Sequence, residues 1–278
     1  MILDGRALAK DILAQTKARA AALARAPRIV AIVTSETPAT KSYLSIKEKR
    51  AEDAGCVLEV VRLREDVSTA ALRDAVLAAH ADAVIVQLPL PENVAAAEVC
   101  DAIPLSKDAD VLSAAARAVF ENSEQALLPP VVGAVGKILE FGSVKVAGKR
   151  SVVIGEGFLV GAPVALWLKR QGATVEVVTK ESGDLSAALA AADIVVSGAG
   201  TPHLITPAML KDGVVLIDAG TSESGGAIVG DADPACAAQC SLLTPVPGGV
   251  GPVAVACLFE NAVALASLGT DAEKTTNV

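Results

Sequence analysis

Tyr43 and Lys47 stand four residues apart in SYLSIKEKRAEDAG, so on a helix they share one face. A lysine withdrawn from water has a lowered pKa and can act as a general acid or base. The same pair on an open face is an amphipathic ring beneath a solvated amine. Tyr43 is the only tyrosine of the chain, and Lys41 and Lys49 lie so close that spacing alone does not single out one lysine. Gln87 ends the apolar run before LPLP; there an amide either caps a strand or meets hydrogen-bonding partners at a site. Asp108 and Asp110, in SKDADV, are loop carboxylates that either cap turns or grip paired N–H donors. TPVPGGVGP packs three prolines and three glycines into nine residues, more than an ordinary connection uses. It predicts a rigid, ligand-facing loop with exposed amides. VIGEGFLVG, residues Val153 to Gly161, has glycines spaced as G-x-G-x3-G, suited to an approaching pyrophosphate, yet it places Glu156 inside that turn.

These residues need elements to hold them. Apolar positions at helical spacing over 5–25 precede a β-branched run at 28–34, and a helix over 37–55 closes at Gly55. A strand in CVLEVVRL, a helix in STAALRDAVLAAH, a strand in ADAVIVQLPLP and a helix in ENVAAAEVCDAI continue the alternation. Strands alternating with helices of this length predict a parallel sheet of βαβ units. Residues 104–130 break the rhythm, and the domain crossing falls in their second half. A second series follows: helix 131–142, strand SVVI, helix 161–171, strand ATVEVVT, a short helix at 184–191, and strands in DIVVSGAG and GVVLIDAG. The expected fold is α/β with two domains. The first covers 1–120 and is completed by a helix over 252–268; the second, of Rossmann type, covers 121–251.

Composition excludes several classes of function. The 278 residues are 52% hydrophobic and only 2% aromatic, as in Ala-rich helices packed on Val/Ile strands. A net charge of −8 without a clustered basic face argues against nucleic acid. MILDGRALAKDILAQ carries acidic residues where a signal peptide would be basic, which argues against secretion. GPVAVACLFENAVALASLG is apolar enough to suggest a membrane span, but Glu260 at its centre would cost ~3 kcal/mol there. A buried helix is the reading adopted, with no membrane partner. Five scattered cysteines and two distant histidines fit no metal site or disulfide framework, and reduced thiols fit a cytoplasmic protein.

Taken together, these runs resemble the bifunctional methylenetetrahydrofolate dehydrogenase/cyclohydrolase family. ILDGRALA, Y-x3-K, VQLPLP, KDAD, VIGEGFLVGAP, ADIVVSGAGTP, LIDAG, GDAD and TPVPGGVGP occur in that family's order and at its spacing. The resemblance implies an N-terminal folate domain completed by the C-terminal helix, a Rossmann domain, a site in the cleft, and a homodimer. It implies oxidation of 5,10-methylenetetrahydrofolate with a nicotinamide dinucleotide, then hydrolysis to 10-formyltetrahydrofolate. By position, Lys47 is the general acid/base, Gln87 its partner, Tyr43 the stacking platform and Asp110 the pterin-binding carboxylate. Pro247, Gly248, Gly249, Val250, Gly251 and Pro252 would line the folate pocket. Gly155, Glu156, Gly157, Gly161, Lys180 and Thr221 would meet the dinucleotide.

Departures from the family pattern are concentrated in the cofactor half. The phosphate turn, GRS in the family, is Gly155-Glu156-Gly157, which puts a carboxylate where an arginine would meet a 2′-phosphate. Taken alone this favours NAD, whereas Lys180, in place of a family serine, could supply the positive charge for NADP or simply pair with Glu156. NADP, the family default, is taken first, with NAD close behind. In the folate half the usual PCTP is residues 129–132, PPVV; the glycine after the second aspartate is Val111; and GPMT is Gly251-Pro252-Val253-Ala254. Two other readings compete: a cyclohydrolase that has lost dehydrogenation, and a non-catalytic folate-binding partner.

Overall fold

The computed structural model describes residues 1–34 and 38–276, with side chains described except at 38–43 and 270–276. The chain divides into two compact units. Lys10–Pro130 and the residues from Val255 onward form one, around a three-stranded sheet; Met1–Ala9 and Val131–Ala254 form the other, around a five-stranded sheet.

The three-stranded unit contains most of α1 (Gly5–Ala21), then β1 (Arg28–Val33), α2 (Pro38–Asp53), β2 (Val57–Arg62), α3 (Thr69–Leu77), β3 (Ala83–Val86), α4 (Ala96–Asp101) and α5 (Ala114–Asn122). Its order is β2-β1-β3, all parallel, with Ile29 opposite both Leu58 and Ala83. RIVAIV is buried at every position after Arg28, as a central parallel strand must be when both faces are covered. Gly55, at φ +73, ends the chain's run along α2 in the left-handed conformation that glycine adopts without strain. Ser68 accepts the Ala71 amide at 3.2 Å and starts α3. Val30, Ile32, Leu72, Val76, Val84 and Val99 then close the core over one face of the sheet.

The five-stranded unit runs through α6 (Pro130–Phe141), β4 (Arg150–Ile154), α7 (Gly161–Arg170), β5 (Thr174–Val178), α8 (Leu185–Leu189), β6 (Ile194–Ser197), β7 (Val214–Asp218), β8 (Ser222–Ser224), β9 (Ala227–Val229) and β10 (Cys240–Leu243). The order β10-β7-β6-β4-β5 is wholly parallel. Because the chain leaves β4 toward β5 and returns to β6 on its other side, the topological switch point lies between β4 and β6. The β8–β9 hairpin turns at Gly225-Gly226, both at positive φ.

Four elements were not expected from sequence. β8 and β9 are three residues each and largely exposed, so they carry no apolar alternation. β10 is four residues interrupted by an exposed serine. α5 hides in the irregular stretch, marked only by its cap: Ser113 accepts the Ala116 amide at 3.1 Å. The unit division also falls elsewhere than at residue 120. Residues 1–9 join the five-stranded unit because the Leu3 amide donates to Leu243 and the Leu243 amide to Met1, each at 2.9 Å, beside β10. The first unit continues to Pro130.

The last helix, α9 (Val250–Thr276), starts two residues before the expected position and belongs to the three-stranded unit from Val255 onward. By length and composition Val250–Gly269 could cross a membrane, but its sides are taken by protein. Cys257, Phe259, Ala262 and Val263 are buried, and the Asn261 amide donates to the carbonyls of Ala109 and Leu128, each at 2.9 Å. Arg19 meets Glu260 at 2.7 Å.

Candidate active site

On α2, Leu44, Ala51 and Ala54 are buried, and Lys47 lies three residues beyond the first and four before the second. Helical spacing therefore carries its stem inward with the apolar stripe, while Lys49 faces solvent. This separates two lysines that the sequence could not separate. The side chains of Lys41 and Tyr43 lie outside the described residues. The Lys47 amine donates to Gln87 Oε1 at 2.9 Å. Gln87 continues the ladder past β3, its amide N–H bonding Ile32, and its Nε2 donates to the Leu88 carbonyl at 2.7 Å. That second bond fixes which end of the carboxamide faces the amine, so Gln87 can only accept from it. Burial lowers the pKa of Lys47, and the charge of Asp110 opposes that shift.

The two loop aspartates part company. Asp108, 1% exposed, accepts the amides of Leu112 at 3.0 Å and Ser113 at 2.8 Å; it caps the approach to α5. Asp110 makes no hydrogen bond among the described residues and faces the field of Lys47. Burial raises its pKa, the Lys47 charge counters this, and Asp108 adds to the rise. Its backbone is gripped from both sides, by Asp108 and by the Asn261 bond to Ala109. Val111 next to it has φ +57, so the chain keeps a glycine-like conformation with a β-branched residue in it. That costs on the order of 1–3 kcal/mol, a strain borne next to the carboxylate. Lys47, Gln87 and Asp110 thus form one cluster: a desolvated amine, its fixed acceptor, and a partly exposed carboxylate that accepts no hydrogen bond among the described residues.

In the five-stranded unit the glycines of VIGEGFLVG divide their work. Gly155 turns at φ +92, and a Cβ on Gly161 would collide with the Gly155 carbonyl, so α7 can pack this close to β4 only with glycine there. A Cβ on Gly157 would meet nothing within 4 Å, which leaves its backbone open to an approaching group. No side chain caps the N-terminus of α7. The Val160 and Ala162 amides bond the Gly157 carbonyl, each at 3.2 Å, and Pro163 has no N–H, so the Gly161 amide beside the open Gly157 backbone is what the start of α7 offers; that arrangement suits a pyrophosphate, and the turn fits a dinucleotide. Glu156 and Lys180 are both exposed, and among the described residues no ion pair joins them. The pairing considered from sequence is therefore not formed. Thr221 is exposed beyond β7, just before β8.

The proline-glycine run has internal reasons for part of its composition. Gly248 adopts φ +108, and a Cβ on Gly249 would clash with Pro245 and Thr244; Gly5 likewise abuts the Gly249 carbonyl. Gly249 and Val250 are buried by protein, while Pro247 and Gly251 are exposed and Gly248 and Pro252 partly so. The last four are the positions that present the loop outward.

Sequence reasoning assigned no role to Asp218 and Asp231, although LIDAG and GDAD contain them. Both are buried, at 2% and 0% exposure. Asp231 accepts from Ser197 Oγ at 2.6 Å and from the amides of Ala199, Gly200 and Thr201 at 2.8, 3.3 and 2.7 Å. Asp218 accepts the amides of Gly220 and Ala232, each at 2.9 Å, and its own amide donates to Thr244 Oγ1 at 2.7 Å. Burial pushes the Asp218 carboxyl up to about 6, and Asp231 beside it adds to the rise. The available signal was the glycine beside each: a Cβ on Gly220 would strike Asp231, and one on Gly230 would strike Asp218.

Comparison with known proteins agrees across the whole chain. Residues 3–110 match the catalytic domain, and residues 129–269 the NAD(P)-binding domain, of the tetrahydrofolate dehydrogenase/cyclohydrolase family model. The bifunctional protein FolD of Azoarcus sp. strain BH72 is 37% identical over 275 residues, covering 94% of each chain. That of Heliobacterium modesticaldum is 37% identical over 268 residues, covering 93% of each. Among solved structures, the bifunctional FolD enzyme of Campylobacter jejuni superposes with a TM-score of 0.92 at 32% identity, covering 96% of this chain and 99% of the other. The Trypanosoma brucei enzyme, complexed with NADP and an inhibitor, gives the same TM-score and identity over 97% and 98%.

Proposed function

The chain belongs to the tetrahydrofolate dehydrogenase/cyclohydrolase family, and from that premise we propose that Lys47, held by Gln87, is the acid–base group of the two reactions it catalyses. Those reactions are oxidation of 5,10-methylenetetrahydrofolate to the 5,10-methenyl cation and hydrolysis of that cation to 10-formyltetrahydrofolate. The observation that carries the assignment is the 2.9 Å bond from a desolvated Lys47 amine to Gln87. A lysine with a lowered pKa has a neutral fraction at working pH and can take a proton. In hydrolysis, water attacks the amidinium carbon and its proton passes to Lys47. The ammonium then protonates N5 as the C–N5 bond opens, and the remaining hydroxyl proton leaves to solvent. The bound dinucleotide supplies a hydride acceptor for the oxidation. Asp110, which accepts no hydrogen bond among the described residues, binds the pterin's amino and ring N–H donors, and Tyr43 stacks on the folate.

Gly155, Gly157 and Gly161 form the pyrophosphate seat, and their geometry favours retained dehydrogenation over a hydrolase-only enzyme. NADP is the preferred cofactor in this reading. Gly155 bonds Val178 at the end of β5, so the chain just past that strand, with exposed Lys180, borders the β4 turn. Second-strand ends read the adenosine ribose in such folds, and an exposed cation there suits a 2′-phosphate. Glu156, equally exposed, can turn toward solvent. The enzyme acts as a cytoplasmic homodimer in this reading, in keeping with five buried cysteine thiols and the family's habit. Sedimentation velocity checks the dimer.

Parallel titration with NADP and NAD, following methenyl absorbance, tests the whole reading. Lys180→Ser is expected to raise the KM for NADP about tenfold and leave that for NAD unchanged. No methenyl product with either cofactor would remove the dehydrogenase assignment, and equal KM values in the parent would remove the NADP preference.

A further inference from the structure

At the switch point two turns face each other across the sheet's carboxyl edge: residues 155–160 after β4 and 198–201 after β6. They touch, since a Cβ on Gly155 would stand 3.1 Å from the Gly198 carbonyl oxygen and one on Gly198 would press on Val160. Both turns offer backbone amides to an anion. In the β4 turn the Val160 and Ala162 amides bond the Gly157 carbonyl, and no side chain caps the helix at the Gly161 amide. In the β6 turn three successive amides, from Ala199, Gly200 and Thr201, converge on Asp231. Successive amides in a turn make an anion-binding nest, and here the protein fills the nest with its own carboxylate.

We propose that Asp231 is a positioning residue for hydride transfer, a built-in anion that fills the amide nest after β6, shapes that wall of the crevice and directs the dinucleotide pyrophosphate to the β4 turn. The inference rests on the pyrophosphate seat assigned above. Asp231 is wholly buried, so it touches neither substrate nor cofactor and acts through the turn it holds. Its position is itself fixed. Gly220 leaves room for its carboxylate, and Gly230, the residue before it, abuts Asp218. Asp218 in turn holds Gly220 and Ala232, so the turns after β6 and β7 are tied through one interlocked pair. Opening the nest would let the turn relax and would offer phosphate a second, unproductive seat.

The test uses the two activities of the full chain as mutual controls. In Asp231→Ala the KM for NADP is expected to rise about tenfold or more, as for loss of a charge-assisted bond network. Hydrolysis of supplied methenyltetrahydrofolate is expected to stay unchanged, because it does not use the β6 turn. Added formate, small enough to refill the nest, is expected to restore part of the NADP affinity. Ser197→Ala, which removes one donor to Asp231, is expected to raise the same KM about threefold. Parallel loss of both activities in Asp231→Ala, or an unchanged NADP KM in that folded variant, overturns the proposal. If Asp231→Ala does not fold, an unchanged NADP KM in Ser197→Ala overturns it. A parent that hydrolyses methenyltetrahydrofolate but binds no dinucleotide would instead overturn the pyrophosphate seat on which the proposal rests.

Discussion

Asp231 in the five-stranded unit and Asp110 in the three-stranded unit are both loop carboxylates, but Asp231 is wholly buried and accepts four hydrogen bonds, whereas Asp110 is partly exposed and accepts none among the described residues. The contrast repeats at close range, where Asp108, two residues from Asp110, is fully engaged by backbone amides. A buried carboxylate is costly unless donors engage it, as backbone amides engage Asp108 and Asp231. The engaged carboxylates shape the backbone. Asp110 keeps its capacity for a ligand, with the Lys47 charge as its only described counterweight. The left-handed Val111 lies between Asp110 and the Leu112 amide that Asp108 accepts, so the strain sits where the two roles meet.

The largest expected effect comes from breaking the reactive side of this contrast. Lys47→Met is expected to lower hydrolysis by about 10²–10⁴-fold, the usual worth of a positioned acid–base group, with the folded state retained. Chemical denaturation and the hydrolysis rate check it together, and unchanged turnover removes Lys47 from the mechanism.

The engaged side is tested by pH. Folded Asp218 titrates near 6 instead of the ordinary 3.8, so the folded chain binds its proton more tightly than the unfolded chain does. Stability is therefore expected to fall as pH rises from about 4 to 6 and to stay lower above, by up to ~3 kcal/mol from this group. Asp218→Asn should flatten that slope in urea unfolding at a series of pH values. A slope equal to the parent's would show that Asp218 is not raised by its burial against Asp231.

The smallest effect sharpens the contrast most. Asp110→Asn is expected to raise the KM for folate by about ten- to a hundredfold, a loss of 1.5–3 kcal/mol of charge-assisted bonding, without lowering the melting temperature. Asp108→Asn should do the reverse: stability falls by about 1–3 kcal/mol because one of two buried amides loses its acceptor, with a smaller effect on KM. If the two variants behave alike, the distinction between engaged and reserved carboxylates fails.

Much of this molecule was legible in its sequence. The alternation of β-branched runs with helices set an α/β chain with two parallel sheets, because a strand buried on both faces has to be apolar throughout. The spacing of Gly155, Gly157 and Gly161 pointed to a pyrophosphate turn, and the structure adds the separate reasons for two of them: a positive φ at Gly155 and a close approach of α7 at Gly161. Family resemblance placed Lys47, Gln87 and Asp110 together before any coordinate did.

What only the tertiary structure decided depends on partners distant in sequence. Local spacing in SKDADV does not separate Asp108 from Asp110, although the family resemblance did; the physical difference is that the amides at the start of α5 engage Asp108 while the Lys47 charge acts on Asp110. Lys47 and Lys49 differ by which side of α2 meets the core. The N-terminal residues joined the five-stranded unit through backbone bonds to Leu243, which leave no side-chain signature. Asp231 and Asp218 received no role from sequence because their donors are distant along the chain; Ser197, a donor to Asp231, lies 34 residues away. A sequence states which groups are present and at what local spacing. Desolvation and hydrogen-bond satisfaction are set by what the folded chain brings around them.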